Sequence, residues 1–345
     1  MELAPLGFPI GMVIALAVIV FASVAMDLWS HRNSTEISLK DAAGWSVFWI
    51  ALAIGWYFYI KVVYGAEYAS MFMSGYALEK TLSVDNLMVF IAIFSSFGIR
   101  SGILQHRILY WGIIGALVFR GIFVAAGTAL FAVGSWVELL FAALVIYSAY
   151  LMFKGGDDDE EVDYTQHPAV RFVQKFIPVV PQLHKNDLLV CNNTVEEMKK
   201  ENPSLSVVKK AAYYATPAFL CLVCIELSDI MFSFDSVPAI IAVTQEPILV
   251  YSAVIFAILG LRNLYFMLAV ATKYLCHLEK WVGVVLVFIG IKLGMAGASK
   301  VFGLDLPHID HTTSLYVVLA CIAAGIIHSI VSPEDDEDDQ EEANA

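Results

Sequence analysis

Long apolar runs separated by short polar stretches dominate the chain, near 8–29, 42–64, 66–97, 107–130, 134–153, 212–243, 247–269, 276–298 and 312–332. A helix needs about 20 mostly apolar residues to cross a bilayer, because each residue rises only about 1.5 Å. Every run is close to that length. Barrel strands would instead alternate apolar and polar residues over about ten positions, and no such alternation organises these runs. A backbone in lipid must satisfy its own hydrogen bonds, which leaves the helix. The pattern predicts an all-α, polytopic membrane protein of about nine transmembrane helices.

Composition agrees. Of 345 residues, 59% are hydrophobic and 15% charged, against about 25% charged in soluble domains, and mean hydropathy is +0.73. The expected partner is the lipid bilayer. A net charge of -13 excludes nucleic acid, whose phosphates require Lys and Arg. Cys221 and Cys224 form a CxxC inside an apolar stretch and read as packing residues, since reactive thiols need an electropositive, accessible setting. No basic segment precedes the first run, which therefore reads as an uncleaved span. Without transit features, a bacterial inner membrane is expected.

Basic residues orient the chain. The loops after the first, third, fifth and seventh spans hold 14 Lys and Arg, while the opposite side has only Lys61 and Lys300. The positive-inside rule then places the N-terminus outside and the C-terminus in the cytosol. The expected organisation is two peripheral helices (1–65), a three-helix repeat (66–154), a cytosolic acidic and amphipathic loop (155–211), a second three-helix repeat (212–299), and a last helix with an acidic tail (300–345). The runs Asp157–Glu161 and Glu334–Glu342 read as solvated charge.

Nine charged residues fall well inside predicted spans, away from their ends: Glu79, Lys80, Asp85, Arg120, Glu226, Asp229, Asp235, Arg262 and Lys292. An ionised group at the bilayer centre costs about 2.5–3.5 kcal/mol on insertion scales, so such residues mark a site or pathway. They are also ordered. Glu79-Lys80-Thr81-Leu82-Ser83-Val84-Asp85-Asn86 and Asp229-Ile230-Met231-Phe232-Ser233-Phe234-Asp235-Ser236 superimpose with an offset of 150, and each copy is followed by an arginine in its next span, Arg120 or Arg262. Spans three to five thus repeat as spans six to eight, with opposite orientation. Inverted repeats around a midplane polar site are the architecture of secondary transporters.

At about 100° per residue, Glu79, Ser83 and Asn86 share one helix face, as do Asp229, Ser233 and Ser236. Asp85 and Asp235 point elsewhere, so either the helices unwind at the Ser-x-Asp step, which Pro238 favours, or those aspartates serve the arginines. The candidate ligands Glu79, Asp85, Asn86, Glu226, Asp229 and Asp235, supported by Lys80, Ser83, Arg120, Ser233, Ser236, Arg262 and Lys292, present oxygen donors only. That set suits a hard divalent cation, Mn²⁺ or Ca²⁺, as the bound or transported ion. Crowded carboxylates also make proton coupling available. The bland alternative is a scaffold of buried ion pairs, Glu79 with Lys292 and Asp235 with Arg262.

The runs Ala77–Asn86 and Glu226–Ala239, extended by His106–Gly112 and Ala257–Arg262, resemble the signature motifs of the TerC family of integral membrane proteins over nearly the whole chain. The resemblance implies a lysine-exporter-like transporter, manganese export, no enzymatic activity, and a link to tellurium resistance with other tellurium-resistance proteins as cytosolic partners. It also leaves two further readings: a non-transporting membrane hub recruiting partners through 155–211, or a transporter of the oxyanion tellurite using Arg120, Arg262 and Lys292.

Overall fold

The computed structural model describes residues 6–30, 39–154, 164–202, 211–244, 246–271, 278–307 and 309–332. It is a helical bundle: α1 (Ile10–Ser30), α2 (Leu39–Val63), α3 (Ala66–Ser96), α4 (Gly102–Phe131), α5 (Trp136–Lys154), α6 (Pro168–Phe176), α7 (Asn192–Glu201), α8 (Pro217–Thr244), α9 (Pro247–Leu259), α10 (Leu261–Ala271), α11 (Leu278–Phe302) and α12 (His311–Val331). Among the described residues six helices are long and apolar enough to cross a membrane, or seven if the bent pair α9–α10 is one span. The expected spans 8–29 and 66–97 hold α1, whose apolar part Ile10–Ser23 is short, and α3, whose 31 residues include Glu67, Glu79, Lys80 and Asp85.

Small residues bring the central helices together. Along α11, Gly283, Gly290 and Gly297 receive Phe153, Ile146 and Leu139 of α5. The partners run in descending order, so α5 and α11 are antiparallel, and a side chain at any of these glycines would displace its neighbour. On α4, Gly112, Gly115 and Gly127 lie against Ile225, Glu226 and Ile241 of α8 in ascending order, so these helices run parallel. Gly75 of α3 meets Ile240, Thr244 and Ala253, and the Thr244 hydroxyl donates to the Met71 carbonyl. The largest apolar cluster fills the space between α3, α4, α5, α8, α9 and α11.

Two expectations change. Span 247–269 is not one helix: α9 ends at Gly260 and α10 leaves at 45°. A Cβ at Gly260 would press on Lys80 Nζ and the Trp49 side chain, 3.0 and 3.1 Å away. The Lys80 ammonium donates to the Ala257 carbonyl (3.3 Å), one of the last-turn carbonyls that a helix end leaves without an intrahelical donor. The break anticipated at Ser-x-Asp is absent, because α3 and α8 are continuous through both motifs and α8 carries Pro238 inside. Membrane helices tolerate such prolines when neighbours satisfy the freed carbonyl.

A further feature lies between α5 and α8. The acidic runs 157–161 and 334–342 fall outside the described residues, but 164–202 and 211–216 are folded. Strands β1 (Leu189–Cys191) and β2 (Tyr213–Ala215) pair antiparallel, and Val180, Val190, Val195, Met198 and Tyr214 form a small core beneath them. Strand pairing of three residues gives too little alternation to read from sequence.

Candidate functional site

Helix α8 packs against both α3 and α4, and this places one acid of each motif around a single guanidinium. Arg120 of α4 is 1% exposed. Its Nε donates to Asp229 Oδ1 and Oδ2 at 3.2 and 3.1 Å, and its Nη2 donates to Oδ1 at 2.5 Å. Its Nη1 forms an ion pair with Glu79. Oriented to satisfy its neighbours, the Asn86 amide accepts from Arg120 Nη2 and donates to the Leu82 carbonyl, both at 3.1 Å. One cation therefore ties together three residues of the two acidic motifs.

The helix-face reading holds for these residues: Glu79, Ser83 and Asn86 are buried together, as are Asp229, Ser233 and Ser236. Both motif serines use their hydroxyls locally. Ser83 donates to the Glu79 carbonyl at 2.7 Å and Ser233 to the Asp229 carbonyl at 2.8 Å, the back-bonding that lets a hydroxyl sit inside an apolar helix. The side chains of Asp85 and Asp235 lie outside the described ones. Arg262 is buried on α10.

Other expected pairings differ. Lys292 does not meet Glu79; it donates to Ser314 Oγ at 2.7 Å, because Arg120 already holds Glu79. Glu226 sits apart from Arg120, with its carboxylate seated against Gly115 and Oε2 without a hydrogen-bond partner among the described residues. Its counterpart at an offset of 150 is Tyr76, whose buried hydroxyl is likewise unpartnered among the described residues. A tyrosine is neutral at ordinary pH and carries no charge to single it out in an apolar run, although the register of the repeat picks out Tyr76.

Two cavities flank this centre. One of about 320 Å³ is lined by Asn86, Ser236, Ser148, Met152 and Leu286, and reaches from the motifs toward the bundle end that carries α6. The other, about 160 Å³, is lined by Ala242, Lys292, Lys300, Pro307 and His311 at the opposite end. Among the described residues no three His, Cys, Asp or Glu side chains come within reach of one metal ion. The cysteines of the CxxC are buried and unbridged, as packing residues should be.

These features define a multi-pass helical membrane protein with a charged cluster buried between its central helices. The chain belongs to the integral membrane protein TerC family, whose model matches residues 64–337. It is 51% identical over 333 residues to the tellurium resistance protein TerC of Serratia marcescens, covering 95% of this chain and 96% of that one. It is 50% identical to the tellurium resistance protein TerC of an Alcaligenes species, covering 98% and 99%. At 32% identity it resembles the putative membrane-bound redox modulator Alx of Escherichia coli strain K12, covering 90% and 91%. No solved structure matches the chain significantly.

Proposed function

We propose that the protein is a bacterial inner-membrane transporter that exports a hard divalent cation, Mn²⁺ before Ca²⁺, through the Glu79–Asp229 site, and that this activity underlies a role in tellurium resistance. The observation that carries the reading is the Arg120 clamp. Two carboxylates from the two motifs converge on one buried charge, and a divalent ion binding there takes over the position of the guanidinium. Ion binding and release then become an exchange between Mn²⁺ and a tethered cation, with the Asn86 amide oxygen adding a third oxygen donor to the two carboxylates. A carboxylate such as Glu226, without a basic partner among the described residues, offers a place for a coupled proton.

Helix directions support an inverted repeat of α3–α4–α5 and α8–α9/α10–α11. The exchange α3↔α8, α4↔α9, α5↔α11 pairs α4 beside α8 with α3 beside α9, and in both cases the neighbours run parallel, Lys80 meeting Ala257 as Gly75 meets Ala253. Counting α1, α3 and the broken span gives nine crossings, with the N-terminus outside. A broken span beside a buried charged site, flanked by cavities on either side, suits alternating access. The test is flux into liposomes of Mn²⁺, Ca²⁺ and tellurite in turn, with and without a pH gradient. The proposal expects Mn²⁺ flux that Glu79→Gln and Asp229→Asn abolish; tellurite flux without Mn²⁺ flux overturns it.

One observation favours a second role. The folded parts between α5 and α8, 164–202 and 211–216, with their own small core, give a tellurium-resistance membrane hub a surface on which soluble partners dock.

A further inference from the structure

Helix α6, Pro168-Ala169-Val170-Arg171-Phe172-Val173-Gln174-Lys175-Phe176, divides into three stripes. Val170 is buried and Val173 packs beside it, in the apolar cluster that also contains Leu104 from the first turns of α4 and Leu220 from the first turn of α8. Helix α6 thus lies against the bundle at the level where α4 and α8 begin. On the far side, Phe172 and Phe176 are 65% and 68% exposed, one helical turn apart, with ring centroids 4.9 Å from each other. Between these stripes stand Arg171 and Lys175, both exposed, and neither makes an ion pair among the described residues. The helix contains no acid.

We propose that α6 is an in-plane anchor that binds anionic lipid headgroups of the leaflet on its side of the membrane. Two exposed aromatic rings at i and i+4, a basic flank and a third stripe fixed to the bundle match an amphipathic helix lying at the headgroup boundary. Phe172 and Phe176 enter the acyl region, and Arg171 and Lys175 meet lipid phosphates beside it. Charge decides the occupant. A helix with two exposed cations and no acid of its own favours an anionic leaflet, each basic residue near such a surface changing the affinity by about fivefold. The site is separate from the Arg120 clamp, so the inference stands whether or not the protein carries Mn²⁺.

Nitroxide labels at Phe172→Cys and Gln174→Cys test it in the full-length protein, with the accessible Cys191 and Cys321 replaced by serine and the signal of that background subtracted. The protein is placed in nanodiscs of phosphatidylcholine alone or with one third phosphatidylglycerol. The proposal expects position 172 to be relaxed by oxygen and shielded from a water-soluble nickel chelate, and position 174 to show the reverse. Phosphatidylglycerol should deepen position 172, and Arg171→Gln with Lys175→Gln should remove that effect of lipid charge. Position 172 open to the chelate puts the face in water and overturns the proposal. Shielding from both relaxers means that protein covers the face, which overturns it equally. Depth that ignores lipid charge in the parent refutes the headgroup contact.

Discussion

Replacing Arg120 by glutamine removes the one charge that Glu79 and Asp229 share. Both carboxylates stay buried, since α3, α4 and α8 are held by contacts that the change does not touch. Breaking a buried pair by deleting one partner costs about 3–5 kcal/mol, because the remaining charge is stranded, and here two are stranded. In chelator, Arg120→Gln should therefore melt well below the parent. If Mn²⁺ occupies the place of the guanidinium, the same variant becomes the better metal binder. A ligand at 100 times its dissociation constant stabilises the native state by about 2.7 kcal/mol, so Mn²⁺ should return a measurable part of the loss. The control is the triple variant Arg120→Gln, Glu79→Gln, Asp229→Asn, which buries no net charge and should recover stability without metal. Melting curves of parent, single and triple variants with chelator or Mn²⁺ read the whole series. Equal Mn²⁺ stabilisation of the single and triple variants would refute the exchange of arginine for ion.

Further outcomes follow from individual contacts. Asp229 receives two Arg120 nitrogens and Glu79 only one, so Asp229→Asn should lower the melting temperature more than Glu79→Gln, by the worth of one charged hydrogen bond, about 1.5–3 kcal/mol. At the start of α12, Asp310 accepts from the Thr313 amide and hydroxyl, which holds its carboxyl below the ordinary value of 3.8. A depressed native value stabilises above the unfolded one and is lost as pH falls through the native one. The melting gap between parent and Asp310→Ala should thus be full above pH 3.8 and close in more acidic buffer. Shortening the Asp157–Glu161 run should leave Mn²⁺ flux in liposomes intact, since solvated charge is screened within about 8–10 Å. Loss of flux would place that run in the pathway, whereas lost resistance in cells with intact flux would mark a docking element.

The helices were legible because lipid imposes one strong rule, long apolar runs, and all the expected spans contain helix. The acidic motifs were legible for the complementary reason: charge in such runs is costly enough to be rare. What the residues alone did not disclose is which partner each charge chooses. Reading each arginine with the motif before it gave no hint that Arg120 would join both copies, since α4 runs beside α8 and a contact 109 residues apart leaves no local pattern. The Glu79–Lys292 pair of the scaffold alternative is not formed either, Lys292 finding Ser314 on α12, outside both motifs. The break at Gly260 escaped because glycine is common in membrane helices, and only the approach of Trp49 and Lys80 gives this one its meaning. Pro238, the stronger sequence signal for a break, sits within an unbroken α8.

Competition between Mn²⁺ and Arg120 for Glu79 and Asp229 is the centre of the proposed function. Direct titration of detergent-purified protein with Mn²⁺, following the free-ion electron paramagnetic resonance signal, tests it. The account predicts one saturable site in the parent, tighter binding in Arg120→Gln, and no site in Glu79→Gln with Asp229→Asn. Undiminished Mn²⁺ binding by that double variant would contradict it.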